Sequence, residues 1–265
     1  MKVSKKWIVA LLAVIPLSLV GGYQFGILGH LNQNSFSAEA AESTTVPPLK
    51  SPYLGCSVVR ERVHDFLRYH YIYRNFNAEI SKRTFATYFK LLDPGKLYFT
   101  QADIDSFSKY ETTLGQTIDN IDCRFVREVY DLYKQRVATA TQTSSAVLKE
   151  PFNFTKEEFI ETNRKKINWA KNDDELKERW RKSLKFIVLN MKDSQDIKTI
   201  TDRLKKRYQI ILKDVLNRST DDIHALFLNA FALSLDPHSS FLTPIDNAQF
   251  QIDFSLKLVG IGATL

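Results

Sequence analysis

The sequence predicts a mainly α-helical protein, and three features of the 265-residue chain lead to that prediction. Residues that form turns are scarce in its middle: between residues 56 and 236 the only glycines and prolines are Pro94, Gly95, Gly115 and Pro151. A β-rich domain of this size needs many more turn residues, whereas long helices do not. The other two features are helix start signals and apolar residues at helical spacing.

Three helix starts are predicted from a capping residue followed three positions later by an acid. In such a pair the side chains accept hydrogen bonds from backbone N–H groups that have no partner at the start of the helix. They are Thr100 with Asp103, Thr155 with Glu158, and Asn172 with Glu175. The first two also have an apolar residue before the cap and another after it, as in a hydrophobic staple. Pro94–Gly95 predicts a turn between helices.

Apolar residues recur at helical spacing in two long segments. One predicted face carries Phe125, Val129, Leu132 and Tyr133, and the other carries Leu204, Tyr208, Ile211, Leu212 and Val215. Together with the start signals, this periodicity predicts about seven or eight helices between residues 57 and 235.

The pattern changes near the carboxyl end of the chain. From Phe250 to Leu258 apolar residues alternate with polar ones, which predicts a strand with one buried face. No upstream segment offers a partner strand, and a lone strand leaves both of its backbone edges unpaired. The expectation is therefore that the partner strands lie beyond Leu265 and that the chain stops inside a domain.

Residues 1–40 predict a signal peptide or a membrane anchor. Three lysines precede residues 7–31, which contain no Lys, Arg, Asp or Glu, and Ala38-Glu39-Ala40 is a small-x-small site for a signal peptidase. The uncharged stretch is also long enough to span a bilayer as an anchor. Either alternative places the body of the protein outside the cytoplasm. Residues 41–56, rich in Ser, Thr and Pro, predict a linker.

The charge of the chain limits its partners. The formal net charge is +7, of which +5 falls after residue 50. No dense patch of the kind that binds nucleic acid is present, so no nucleic-acid partner is expected. The densest basic stretch is either a solvated helix face or a contact with an acidic partner or a membrane surface. It comprises Arg203, Lys205, Lys206, Arg207, Lys213 and Arg218.

Cysteine, metal and cofactor motifs are few. Cys56 and Cys123 are the only cysteines, and in an exported chain they either form one disulfide or remain two free thiols. Their spacing does not decide between the two. His64 and His70 are six residues apart, unlike the pair of a helical zinc site, and no HExxH, GxSxG, CxxC or P-loop occurs. No metal site and no cofactor are therefore predicted.

The segment LDPHSSFLTP, Leu235–Pro244, resembles the LDPH-x-x-aromatic-L-S/T-P signature of the tail-specific proteases, serine peptidases of family S41. Weaker similarities, over about residues 60 to 265, are found at Leu91–Asp93, Tyr130–Tyr133, Phe152–Phe154 and Leu204–Tyr208. The resemblance implies a helical N-terminal domain at residues 57–245 and the first strand of an incomplete PDZ domain at residues 246–265. A catalytic core with a serine nucleophile and a lysine base would follow. It further implies proteolysis of proteins recognised by their C-termini, in the periplasm or cell envelope.

The substrate-binding residues that this resemblance implies are Gly260, Ile261, Gly262 and Ala263, which have the form of a PDZ carboxylate-binding loop. Glycines let successive N–H groups converge on an anion, and the nearby Lys257 adds positive charge. No catalytic residue is predicted within the chain, which is expected to be inactive alone. Asp236, His238, Ser239 and Ser240 invite comparison with a catalytic triad. Near neighbours after a helix rarely converge in that way, so they predict a hydrogen-bonded turn.

Two alternatives to the protease hypothesis remain open. One is a non-catalytic exported helical scaffold or adaptor that binds other envelope proteins. The other is a membrane-anchored basic helical domain that binds anionic surfaces.

Overall fold

The structure, a computed structural model, describes residues 54–255. Within that range the α-helices are α1 (Cys56–Tyr69), α2 (Ala78–Leu92), α3 (Gln101–Ser106), α4 (Leu114–Asp119), α5 (Arg124–Val147), α6 (Asp173–Met191), α7 (Ile197–Asn217), α8 (Thr220–Leu235) and α9 (Pro244–Ser255). Single turns of 3-10 helix lie at Ser108–Tyr110 and Arg164–Lys166. The mainly helical fold is confirmed, and the eight α-helices that end by Leu235 agree with the number expected.

Two of the three predicted helix starts are confirmed. Thr100 precedes α3 in a complete capping box, in which its backbone N–H donates to the Asp103 carboxylate at 2.8 Å. Asn172 precedes α6, and its side-chain oxygen accepts the N–H of Glu175 at 2.9 Å. Both caps satisfy N–H groups that have no partner inside the first helical turn.

The helix start predicted at Thr155 is wrong. Residues 151–163 form no helix. The Glu158 carboxylate, which the capping box required, instead accepts hydrogen bonds from Arg181 and Lys185 of α6. Asn153 organises this segment locally, because its side-chain oxygen accepts hydrogen bonds from both the N–H and the hydroxyl of Thr155. Ion pairs with α6 thus replace the predicted helical turn.

The larger hydrophobic core lies where α1, α2, α4 and the first half of α5 surround α8. Helix α8 is apolar on nearly every side, and Phe227, Ala230 and Phe231 are completely buried. The ring of Phe125 at the start of α5 packs against those of Phe85 and Tyr88, with centroids 5.6 and 5.7 Å apart. A helix buried on all faces is the expected centre of such a bundle.

A second, smaller core forms between the second half of α5, α6 and the first half of α7. It includes the buried side chains of Leu184, Val188 and Ile200. The buried Trp180 donates its indole N–H to the carbonyl of Leu97 at 2.7 Å, as a buried tryptophan requires. The apolar faces predicted on α5 and α7 both point into these cores and are confirmed.

The turn predicted at Pro94–Gly95 is also confirmed and is organised by the residue before it. The buried Asp93 carboxylate accepts the N–H groups of Leu97, Tyr98 and Phe99 at 2.9, 2.7 and 3.1 Å. Burial raises the pKa of Asp93, while these hydrogen bonds oppose that rise. The carboxylate fixes the path from α2 toward α3.

The strand predicted from Phe250 is wrong for its first residues, which belong to α9. Local helical signals outweigh the alternating pattern there. Thr243 and Asp246 form a capping box around Pro244, a residue suited to the first position of a helix. Phe250 also stacks on Phe254 one turn later, with ring centroids 5.8 Å apart. Residues 256–265, which include the rest of the predicted strand, lie outside the described residues.

At the amino end the described part begins in contact with α8. The N–H of Leu54 donates to Asp221 at 2.7 Å, and its carbonyl contacts the buried ring of His224. None of the helices between residues 54 and 255 combines the length and hydropathy needed to cross a bilayer. The predicted export segment, residues 1–40, lies outside the described residues.

Candidate functional site at the Asp236 turn

The segment that carries the family signature is folded into a tight turn after α8. The Asp236 carboxylate accepts the backbone N–H groups of His238 and Ser239 at 2.8 and 3.0 Å, and it also accepts the Ser239 hydroxyl. An aspartate before proline that bonds the backbone two and three residues ahead is a standard turn former. Phe241 then returns to α8, where its N–H donates to the Asn229 side chain at 3.3 Å.

His70, from the connection between α1 and α2, approaches the same carboxylate. Its Nε2 lies 3.4 Å from Asp236 Oδ2. Its Nδ1 is 2.9 Å from the backbone N–H donor of Tyr73 and 3.2 Å from that of Ile72. Because Nδ1 accepts these hydrogen bonds, the proton of the neutral ring is assigned to Nε2, which faces Asp236.

Tyr73 and Arg83 complete this cluster. The ring of Tyr73 stacks on His70 with centroids 5.3 Å apart. The Arg83 guanidinium donates to the Tyr73 hydroxyl at 2.9 Å and to the carbonyl of Leu235 at 3.2 Å. A cation at the carbonyl end of α8 is favourable for the helix dipole. Three elements, the α1–α2 connection, α2 and the end of α8, therefore meet at the turn.

The electrostatics keep Asp236 ionised. The Ser239 hydroxyl is the main cause that lowers the pKa of Asp236, and the His238 N–H and the His70 ring act in the same direction. Desolvation of the carboxylate opposes them. At neutral pH the turn therefore contains a carboxylate that accepts hydrogen bonds on both oxygens.

This arrangement is not that of a nucleophilic site, and the predicted turn is confirmed. In a serine triad the base lies between the nucleophile and the acid. Here Asp236 lies in the middle, Ser239 donates to it, and the Nδ1 of His70 is taken by backbone N–H groups. What the cluster does is fix the direction in which the chain leaves α8.

The other residues singled out from the sequence are dispersed. Cys56 and Cys123 form a disulfide with Cα atoms 5.9 Å apart, which ties the start of α1 to the start of α5. His64 lies on α1 six residues before His70 and pairs with Asp119 at 2.8 Å. Within residues 54–255 no three His, Cys, Asp or Glu side chains are grouped as a metal site. Gly260, Ile261, Gly262 and Ala263, together with Lys257, lie outside the described residues.

Sequence reasoning missed His70, Tyr73 and Arg83 as partners of the turn. His70 and Asp236 are 166 positions apart, and no spacing rule relates residues so distant in the chain. The aromatic and basic run YHYIYR, residues 69–74, next to the end of α1 is the one local sign that this connection is structured.

Comparison with known proteins agrees with the fold and the turn. The family model described as the tail-specific protease N-terminal domain matches residues 62–245. The match runs from the second turn of α1 to just after the Asp236 turn. The chain belongs to this family. It is also 31% identical over 199 residues to the tail-specific protease of Haemophilus influenzae. That alignment covers 74% of this chain but 28% of the relative, so the chain spans less than a third of the protein it resembles.

Family membership confirms the resemblance that the sequence indicated. Proteolysis is the activity that the name of the relative gives. The matched region ends at residue 245, just after the turn, so the Asp236 cluster lies at the end of the family domain.

Proposed function

We propose that this chain is the N-terminal region of an exported tail-specific serine endopeptidase that recognises and processes protein C-termini. The observation that carries the proposal is the family match over residues 62–245, which ends just after the Asp236 turn. The domain contains no nucleophile–base pair at that turn. Its role is accordingly one of positioning, and a PDZ domain and a Ser/Lys core would follow it.

The substrate-binding part of the proposal concerns residues 246–265, the expected start of the PDZ domain. Gly260-Ile261-Gly262-Ala263 would present converging N–H groups to the carboxylate of a substrate C-terminus. Lys257 would add a positive charge near that loop. A fixed turn after α8 supports this role, because a binding loop needs a rigid support to hold its orientation.

Export to the periplasm or cell envelope is part of the same proposal. It is supported by the lysine-flanked uncharged stretch at residues 7–31 and by the Cys56–Cys123 disulfide. Disulfides persist in oxidising compartments and are rare in a reducing cytosol. Residues 7–31 would act either as a cleaved signal or as a retained inner-membrane anchor.

The test begins with the coding sequence that follows codon 265, which should encode further PDZ strands and a Ser/Lys core. The complete protein is then purified and given peptides with apolar C-termini, each paired with the same peptide carrying a C-terminal amide. Cleavage of the free-acid peptide with little cleavage of the amide is expected, because only the former has the carboxylate. The 265-residue chain alone should cleave neither.

Two matched variants sharpen the experiment. Gly262→Asp places a negative charge in the proposed carboxylate loop and should raise KM for the free-acid peptide, whereas Ser240→Ala should leave turnover unchanged. Equal cleavage of free-acid and amidated peptides would rule out recognition of the C-terminus. A stop codon directly after codon 265, with a stably folded chain that binds envelope proteins, would favour the scaffold or adaptor instead.

A further inference from the structure

The positive charge of the protein is concentrated on one helix. Residues 197–218, which are α7 and the residue after it, contain seven Lys or Arg and two Asp. Their net charge of +5 equals the net charge of all residues after residue 50. The remainder of that region is therefore neutral as a whole. Such an uneven distribution creates a local positive potential that an even spread would not.

Three of the seven cations in residues 197–218 lie along one solvent-exposed side of α7. Arg203, Lys206, Ile210 and Lys213 are all exposed and follow one another at intervals of three or four residues. That spacing aligns them along a single side of the helix. Ile210 is 50% exposed, and Leu216 beside this line is 52% exposed. We call these five residues the basic face of α7; the opposite side of the helix packs into the two cores.

Two acids border this face, Asp202 and the exposed Asp214, and Asp214 forms no salt bridge with any residue between 54 and 255. Lys205, at its edge, pairs with Asp202 at 3.5 Å, and Arg203 donates to the neutral side chain of Gln195 at 2.7 Å. Lys206 and Lys213 form no salt bridge with any residue between 54 and 255. Exposed apolar side chains that lie between unpaired lysines are not needed by the fold, since the inward residues of α7 supply its packing.

The chemistry of the face indicates the kind of partner. Lysine is depleted from protein–protein interfaces, where arginine and aromatic residues are preferred. Lysine is a flexible point charge that needs no fixed partner geometry, and polybasic segments are attracted to anionic lipid surfaces. Apolar residues between lysines can enter the headgroup region while the ammonium groups stay at the phosphates. We propose that the basic face of α7 binds the anionic headgroups of a phospholipid bilayer.

This inference is independent of the proposed proteolytic activity. A retained anchor at residues 7–31 would raise the effective concentration of α7 at the bilayer, so that a weak electrostatic contact becomes occupied. Each cation near an anionic surface strengthens binding by about fivefold, and the effect disappears at high salt.

The proposal is tested on the full chain in lipid nanodiscs. One preparation contains phosphatidylcholine alone, and the other contains phosphatidylcholine with phosphatidylglycerol. The rates of amine acylation at Lys206 and Lys213 are measured by mass spectrometry, with the exposed Lys90 of α2 as internal reference. In anionic discs the two α7 lysines should react about fivefold more slowly than in neutral discs, and high salt should remove the difference.

A pair of variants assigns the protection to the basic face. Ile210→Glu adds a negative charge at the centre of the face and should abolish the protection of Lys206 and Lys213. Phe159→Glu changes a side chain that is 89% exposed in the segment before α6 and should preserve it. Equal acylation rates in neutral and anionic discs, or protection that survives in Ile210→Glu, would overturn the proposal.

Discussion

The hydroxyls of Thr84 and Ser234 lie 2.8 Å apart at the buried contact between α2 and α8. Ser234 donates its proton to the carbonyl of Phe231 at 2.6 Å. Since a hydroxyl has a single proton to donate, Thr84 is the donor to Ser234. The two helices that pack most extensively against each other are thus joined by an ordered polar pair, in which Thr84 donates and Ser234 accepts.

This order of donation predicts unequal effects of two substitutions. Ser234→Ala leaves the Thr84 hydroxyl buried without an acceptor and should lower the free energy of unfolding by about 2 kcal/mol. Thr84→Val keeps the shape of the side chain and leaves Ser234 bonded to Phe231, so it should cost about 1 kcal/mol or less. Urea unfolding of the two variants and of the double variant measures the difference. Additive effects in the double variant would contradict the proposed coupling.

The Cys56–Cys123 disulfide should contribute strongly to stability. It closes a loop with a sequence separation of 67, and restricting the unfolded chain over such a loop contributes about 4 kcal/mol. Replacing both cysteines by serine should therefore lower the free energy of unfolding by about that amount, measured by urea denaturation under oxidising conditions.

A reducing agent provides the control for the disulfide. Dithiothreitol should bring the stability of the unsubstituted chain down toward that of the double serine variant and should leave the variant unchanged. If the reductant lowers the stability of both proteins equally, the disulfide is not the source of the effect.

Sequence patterns predicted the helices well where local signals and core packing agree. Thr100 and Asn172 cap helices because their side-chain oxygens accept the backbone N–H groups of Asp103 and Glu175, and the apolar faces predicted on α5 and α7 are buried. No helix starts at Thr155, where Glu158 instead accepts hydrogen bonds from two cations of α6, Arg181 and Lys185. Glu158 is 23 and 27 positions from these two cations, so no local sequence pattern predicts the contact.

The candidate site also combines a local contact with long-range contacts. The turn at Asp236 is local, so its proline and short polar residues predicted it correctly. The approach of His70 and Arg83 depends on how α1 and α2 pack against α8, which no local pattern encodes. At α9 the capping box of Thr243 and Asp246 starts a helix, and this local signal outweighs the alternation of apolar and polar residues after Phe250.

Glu158 predicts a pH-dependent contribution to stability. Hydrogen bonds from Arg181, and then from Lys185, lower its pKa from the usual 4.5 to about 2. A carboxyl group with a lowered pKa in the folded state stabilises the fold above its unfolded pKa, and this contribution is lost as the pH falls through the folded value. The stability advantage over Glu158→Gln should be full above about pH 5 and should shrink toward pH 2.

The exposed neighbour Glu157 offers a matched control for this experiment, because it has no salt bridge among the described residues. Urea unfolding at a series of pH values should show that Glu157→Gln follows the unsubstituted chain throughout. Parallel stability curves for Glu158→Gln and the unsubstituted chain between pH 5 and 2 would contradict the assigned role of Glu158.

The two glycines between α1 and α9 differ sharply in how they should tolerate alanine. A Cβ atom on Gly115 of α4 would lie 1.9 Å from the carbonyl oxygen of Phe76, and backbone atoms cannot yield as a side chain does. Gly115→Ala should therefore lower the free energy of unfolding by about 3 kcal/mol or more.

At Gly95 the nearest atom to an added Cβ is a Leu97 side-chain carbon at 3.5 Å, an ordinary contact. Gly95→Ala should leave stability unchanged or raise it by about 0.5 kcal/mol, since alanine restricts the unfolded chain. Urea unfolding compares the two variants, and similar midpoints would show that α4 does not approach the Phe76 backbone this closely.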